Sequence, residues 1–326
     1  MILVIGDPHF KPNNKLETEI LLTDVLTIIQ QREIDFVILL GDILDNHEKI
    51  DLKCFKRVEN FIAAVSELKP LYILIGNHDR VNNKVFMTDE HVFGPYKRWH
   101  NVYIVDDHCE TLIWREKKIC MVPYVPNGMF MKALEHSSID VEEYDLVFGH
   151  SELHGCSINK ISGNKCDVWP ESYPLTIQGH IHSFEVVGNN VIYVGTPYQQ
   201  TFGESHENKG VFLVNENLEL EMIELNIPKK VTKRINYTEI SSVDINPNEK
   251  TRLIITGPKT MIKEILLTPE YQEKFKDVKI VFNDVKTKKK SKFEFRSNMS
   301  FMDRLLSELS KNVDMNESFK KFFESK

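Results

Sequence analysis

The sequence predicts a layered α/β sandwich followed by a small α+β domain. Three observations carry this reading. Apolar runs of strand length alternate with amphipathic helical stretches through the first quarter of the chain. Several of those runs stop at Gly and deliver Asp, Asn or His, as in "VIGDPHF" (4–10) and "LIGNHDR" (74–80). Near "LNIPKK" (225–230) the pattern breaks and a shorter strand–helix–strand pattern begins.

Taken in order, "MILVIG" (1–6) is a buried strand and 17–34 an amphipathic helix. Strand 35–42, helix 53–68 and strand 71–79 follow. Strands linked by single helices imply right-handed crossovers and a parallel sheet, whose ligands lie beyond the carboxyl ends of the strands. Short strands at 101–106, 117–125, 144–150, 175–182, 190–197 and 210–215 have few long helices between them and predict a second sheet stacked on the first. The expected domains are 1–228 and 229–326. The second carries a strand at 251–258, a helix near 259–266, a strand at 277–284, the Lys run "KTKKKSK" (286–292) and an amphipathic helix at 301–312.

Composition narrows the class. The 326 residues are 41% hydrophobic and 27% charged, as expected of a chain that buries a core. No apolar run reaches the roughly 18 residues of a membrane helix, and the N-terminus lacks the basic start of a signal peptide. Five cysteines without a CxxC pair fit reduced thiols in a cytoplasmic, reducing compartment. Cys156 and Cys166 lie near His154, but their spacing matches no standard zinc site. The net charge of −7 argues against an autonomous basic nucleic-acid binder without excluding an uneven charge distribution.

The strand-end residues Asp7, His9, Asp42, Asn77, His78, His150, His180 and His182 are the chemical signal. Carboxylate, imidazole and amide oxygen together suit Mn²⁺, Zn²⁺ or Fe²⁺. Asp-x-His on one turn can reach a single ion, a carboxylate such as Asp42 can bridge two, and the two histidines of "GHIH" can diverge to one ion each. Two such ions activate a water and clamp the attacking and leaving oxygens of a phosphoryl displacement. Asn77 is the expected ligand of its pair. That leaves His78, paired with Asp79, to stabilise charge or protonate the leaving oxygen. Each "GD" or "GH" alone is ordinary turn chemistry. The ordered set "GDPH", "GD", "GNHD", "GH", "GHIH" is not.

That order resembles the calcineurin-like metallophosphoesterase superfamily, over residues 1 to about 215. The resemblance implies a four-layer sandwich, two stacked mixed β-sheets flanked by helices. It implies one ion held by Asp7, His9, Asp42 and His182, a second held by Asp42, Asn77, His150 and His180, and His78 near the scissile phosphate. "GDILDNH" departs from the "GDxVDRG" of protein phosphatases and lacks their phosphate-gripping arginine. "GTPYQQTFGESHENKGVFLV" (195–214) and "GHSELHGCSI" (149–158) resemble the double-strand-break-repair nuclease subunits, most of all their compact phage and large-virus members. Within that group the implied activity is Mn²⁺-dependent cleavage of DNA beside an SMC-like ATPase, as a homodimer joined through helices such as 53–68. The C-terminal domain would cap the DNA, and a viral member would work in the host cytosol or nucleus.

Other readings stay open at this level. A generic phosphatase or cyclic-nucleotide phosphodiesterase shares the five motifs, and a scaffold could keep the fold without the chemistry. The Lys run fits phosphate contacts or a solvated hairpin equally well. Helix 301–312 fits packing on its own domain better than docking of the ATPase. Tyr198, Phe202 and His206 either orient nucleic acid or pack, with packing favoured for Phe202.

Overall fold

The computed structural model describes residues 1–47 and 49–284. The Lys run 286–292 and the helix expected at 301–312 lie outside them. The first sheet grows from β1 (Ile2–Ile5), β2 (Phe36–Leu39), β3 (Leu71–Leu74) and β4 (Val102–Val105), parallel neighbours in that order. Two antiparallel strands, here β11 (Val211–Val214) and β12 (Leu220–Ile223), extend its other edge. Crossover helices α1 (Lys15–Gln31) and α2 (Leu52–Ser66) cover one face.

The second sheet holds β5 (Glu110–Trp114), β6 (Lys117–Met121), β7 (Leu146–Gly149), β8 (Leu175–Gln178), β9 (Glu185–Val187) and β10 (Val191–Tyr193). Their spatial order is β5-β6-β7-β8-β10-β9, and both outer pairs are antiparallel. Helices α3 (Phe130–His136) and α4 (Ser157–Ser162) lie in the segments that connect its strands. The expected four layers and mixed sheets are present.

Side chains of β1 show how the layers are held. Leu3 and Ile5 pack with Leu21, Val25 and Ile28 of α1 and Phe61 of α2. Ile2 and Val4 point the other way and meet Ile119, Leu146 and Ile177 of the second sheet. A strand buried on both faces must be apolar throughout, which is why "ILVI" shows no polar alternation.

The third sheet is β13 (Lys229–Asn236), β14 (Glu249–Gly257) and β15 (Lys279–Asp284), all parallel, backed by α5 (Lys259–Leu266) and α6 (Pro269–Lys274). Its own small core contains Ile240, Leu253, Ile255, Ile262 and Phe275. The seat on the sandwich is electrostatic. Glu17 of α1, 1% exposed, receives Lys250 Nζ at 2.7 Å and Lys230 Nζ at 3.2 Å.

Expected strands ran long at their carboxyl ends. Residues 40–42, 75–79 and 179–182 are turns rather than strand, because the chain bends at each Gly to release the polar residues. Strands β5, β9, β12 and β13 were not expected. Arg115 and Glu116 make the β5–β6 turn at φ of 47° and 68°, a backbone usually announced by Asn-Gly. The strand "KKVTKRIN" (β13) is too polar to read as sheet.

Burial works against a charge on Glu17, yet Lys250 and Lys230 hold its carboxyl below the ordinary value. The pairing therefore stabilises the fold at neutral pH and is lost as acid protonates Glu17. Glu17→Gln is expected to cost about 2 kcal/mol at pH 7. That is less than breaking a fully buried pair, because Lys250 is partly exposed. The cost should shrink at low pH. Urea unfolding at pH 7 and pH 4 checks this; an unchanged midpoint at pH 7 would refute it.

Candidate metal centre

The turns after β1, β2, β3, β7 and β8 converge above the sandwich. Those after β1 and β2 stay zipped together, His9 N–H to Asp42 O at 3.0 Å and Phe10 N–H to Ile43 O at 2.7 Å. Three candidate ligands adopt left-handed backbone: His9 (φ 43°), Asp42 (φ 48°) and His180 (φ 75°). Each is a conformation that non-glycine residues adopt at a cost, retained where the surroundings over-determine it. Two motif glycines are there for space. A Cβ on Gly76 would come within 2.3 Å of Asp42 Oδ1, and one on Gly179 within 2.5 Å of Asp7 Oδ1.

All seven expected ligands meet in two groups. Asp7, His9 and His182 form one triad of donor atoms, all within 4.8 Å of one another; Asp42, His150 and His180 form the other. Asn77 joins the second group, its Oδ1 lying 3.0 Å from His150 Nε2 and 2.9 Å from His180 Nδ1. Asp42 lies between the groups. Its carboxylate is 3.4 Å from His150 Nε2 and 3.8 Å from His9 Nε2, the position a bridging ligand requires. His9 Nε2 and His182 Nε2 approach to 3.0 Å.

The chemistry of these donors fits divalent cations. Asp7 is fully buried, and neither carboxylate oxygen has a hydrogen-bond partner. An unpartnered buried carboxylate is costly unless it protonates or meets a cation. Burial, with Asp42 nearby, pushes the Asp7 carboxyl up to about 8. Burial pulls His9 down to about 3 and His180 down to about 4, so both present neutral, lone-pair imidazoles at neutral pH. Burial opposes a charge on His150 as well, but Asp42 and Asp7 outweigh it and raise that imidazole to about 9. The Leu40 carbonyl, 2.7 Å away, takes the Nδ1–H of His150 and leaves Nε2 as the atom facing the centre.

His78 belongs to the same surface in a different role. It is a third exposed, and its Nε2 lies 3.9 Å from Asp42 Oδ2. Its Nδ1 donates to the Asp45 carbonyl at 3.0 Å, and its ring stacks on His47 at 4.8 Å. The expected pairing with Asp79 is not made. Asp79 accepts backbone N–H groups of Ile43, Leu44 and Gly76 at 3.2, 2.9 and 3.1 Å, so it fixes the loops and touches no catalytic atom.

The two aromatic side chains of the loop after β10 are placed differently. Tyr198 is buried, its hydroxyl donating to the Pro8 carbonyl beside the first motif and receiving Asn14 Nδ2 at 3.0 Å. Phe202 is half-buried, with Arg252 5.1 Å and Lys279 5.8 Å from its ring centre. Among the described residues, no clustered metal-ligating group contains a cysteine. Cys156 is buried in the outer core, and Cys166 receives Asn159 Nδ2 at 3.3 Å.

The calcineurin-like phosphoesterase family model matches residues 1–184, more than half of the chain and the whole of this set of candidate ligands. The chain is a member of that family. It is 35% identical over 267 residues to the phosphoesterase-type protein 078R of Invertebrate iridescent virus 3, covering 78% of this chain and 76% of that one. It is 36% identical over 269 residues to the phosphoesterase-type protein 244L of Invertebrate iridescent virus 6, covering 78% and 93%. It is 26% identical over 224 residues to Exonuclease subunit 1 of Enterobacteria phage T4, covering 66% and 63%. As a calcineurin-like phosphoesterase the chain belongs to a family that binds divalent metals, and the two triads are where this chain would hold them. Lys209 and Glu207 are the residues beside His182 that the motifs did not single out, whereas Asp45 lies within the quoted "GDILDNH". Lys209 and Glu207 lay within the quoted "FGESHENKG".

Burial raises the Asp7 carboxyl and the neighbouring carboxylates raise the His150 imidazole, so cation binding must displace whatever protons the pair retains. Mn²⁺ affinity is expected to rise with pH between about 7 and 9. Calorimetric titration of chelator-treated protein in two buffers of different ionisation enthalpy should show proton release, reduced in Asp7→Asn. Heats independent of the buffer would contradict this.

Proposed function

We propose that this chain is a two-metal phosphodiesterase acting on DNA, the nuclease subunit of a recombination or repair complex with an SMC-like ATPase. The observation that carries the phosphoesterase chemistry is the convergence of Asp7, His9, Asp42, Asn77, His150, His180 and His182 in two donor groups flanking the Asp42 carboxylate. The donor types suit Mn²⁺, Zn²⁺ or Fe²⁺, and the resemblance to the repair nucleases favours Mn²⁺ among them. When bound, such ions supply charge neutralisation at the phosphate and an acidified water.

The chain's own residues then have separable tasks. Asp42 orders the His78 loop by accepting the His78 N–H at 2.8 Å. The Asp45 carbonyl can only accept, so it keeps the proton on His78 Nδ1. With Nδ1 so committed, Nε2 faces the centre and is the ring atom placed to deliver a proton to the leaving oxygen. Asp79 holds the turn through its three amides.

DNA is favoured as substrate by two features. The first is the similarity to a phage protein named as an exonuclease subunit, which also motivates the ATPase partner. The second is charge placement. Although the net charge is −7, a cleft of about 520 Å³ near the first motif gathers Lys11, Lys230, Lys250, Arg252 and Lys279 against one acid, Glu17. Polyphosphate backbones bind to such concentrations of cations. The third sheet, from Lys229 to Asp284, acts here as part of a separate domain and walls this cleft. No described helix is long and apolar enough to cross a membrane. The thiols and the viral relatives favour the host cytosol or nucleus, and a homodimer through α2 is compatible with this assignment.

His78→Ala is expected to slow Mn²⁺-dependent cleavage of single- and double-stranded DNA about 10²–10⁴-fold while leaving bound manganese unchanged. Cleavage at the parental rate would remove His78 from the mechanism. The parent protein should cut DNA and bis-p-nitrophenyl phosphate in preference to the monoester. Fast monoester turnover without DNA cleavage would instead make it a general phosphatase.

A further inference from the structure

His182 differs from the other ligands of its triad. Asp7 and His9 are buried at the end of β1, whereas His182 is exposed, so core packing does not fix it. What holds it is its main chain. The His182 carbonyl accepts Thr196 N–H at 3.0 Å and receives the Lys209 ammonium.

Lys209 is itself an unusual residue. Its side chain is only 5% exposed, a setting that lysine rarely tolerates without partners. It has two, Glu207 Oε2 at 2.7 Å and Glu204 Oε2 at 3.3 Å. The other oxygen of Glu207 accepts the hydroxyl of Ser183, the residue after His182, at 3.1 Å. Residues 182 and 183 are thus gripped from both sides by one buried ion cluster. Glu204 is fixed in turn by Gln200 N–H, Thr201 N–H and Thr201 Oγ1 at 3.1, 3.0 and 3.0 Å. Gln199 Nε2 donates to the carbonyls of Glu204 and Glu207.

We infer that Lys209, braced by Glu207, is a positioning residue that fixes His182 within the centre and sets the affinity of the ion on its side. The inference rests on the reading of His182 as a metal ligand. Groups that orient ligands commonly change metal affinity about 10–100-fold when removed. Asp42, His150 and His180 make no contact with this cluster among the hydrogen bonds and ion pairs of the described residues, so the effect should fall on one ion of two.

The test is calorimetric titration of chelator-treated full-length protein with Mn²⁺, alongside thermal unfolding and steady-state cleavage of bis-p-nitrophenyl phosphate. Lys209→Met is expected to weaken one of the two binding events about 10-fold or more and leave the other near its parental value. The Mn²⁺ concentration needed for half-maximal activity should rise, with the KM for the diester little changed. Lys209→Arg, which keeps charge and reach, should recover much of the lost affinity. Since Lys209→Met leaves two carboxylates unneutralised, the double variant Lys209→Met/Glu207→Gln guards against loop collapse and should show the same selective loss. Two parental affinities in the folded double variant would overturn the role of Lys209 and leave the metal assignment intact. A parent protein that takes up no Mn²⁺ would overturn the metal assignment and this inference together.

Discussion

The structure depends on forcing acidic and basic donor groups into one buried volume. Asp7 sits with no hydrogen bond to either oxygen and its Oδ1 3.7 Å from His150 Nδ1, and His150 Nε2 faces the oxygens of Asn77 and Asp42. Such a cluster repels itself unless protons or cations are shared among its members. Everything around it resists relaxation. Strands β1, β2 and β7 are apolar on both faces, the motif glycines leave no room for a Cβ, and three of the candidate ligands are held in left-handed backbone. The favourable burial of the sandwich thus offsets the unfavourable crowding of the site.

The centre was legible in the sequence because it follows from a topological rule. Parallel strands bring their carboxyl ends to one edge, so polar residues after successive apolar runs must become neighbours. Asp7, His9, Asp42, Asn77, His150, His180 and His182 come together at that edge. Interactions of side chain with backbone were not legible. Asp79 reads as a histidine partner because it follows His78, yet it folds back to three amides, one of them in its own turn and two in the β2 loop. Its role needs the tertiary pairing of two loops, which no local pattern records.

The aromatic loop after β10 shows the same limit. Tyr198 and Phe202 are alike in sequence and opposite in placement. Pro8 and Asn14, distant in the chain, supply polar partners for the Tyr198 hydroxyl, and this lets it be buried. Phe202 has no such partner and instead lies under Arg252 and Lys279 of the third sheet. A polar handle, not hydrophobicity, decided which ring went inside. The strands β5 and β13 escaped notice for related reasons. One is joined by a turn with no turn-forming residue, and the other spends its polar side chains on a neighbouring domain.

These placements connect the two halves of the chain. Lys230 reaches Glu17 on α1 and the Gln199 carbonyl, and its N–H is bound by the Gln199 side chain. Gln199 in turn holds the carbonyls of Glu204 and Glu207, which surround Lys209 and so His182. A continuous set of hydrogen bonds and ion pairs therefore runs from the first residues of the third sheet to one ligand of the centre. Contiguity alone does not make such a path a switch, since that requires two discrete arrangements of an element along it. Asp7, His9, Asp42 and His150 follow buried strands and are themselves buried. His182, exposed after β8, has its main chain bound by the loop that the third sheet grips. The placement of His182 is therefore answerable to the third sheet in a way that the placement of the buried donors is not.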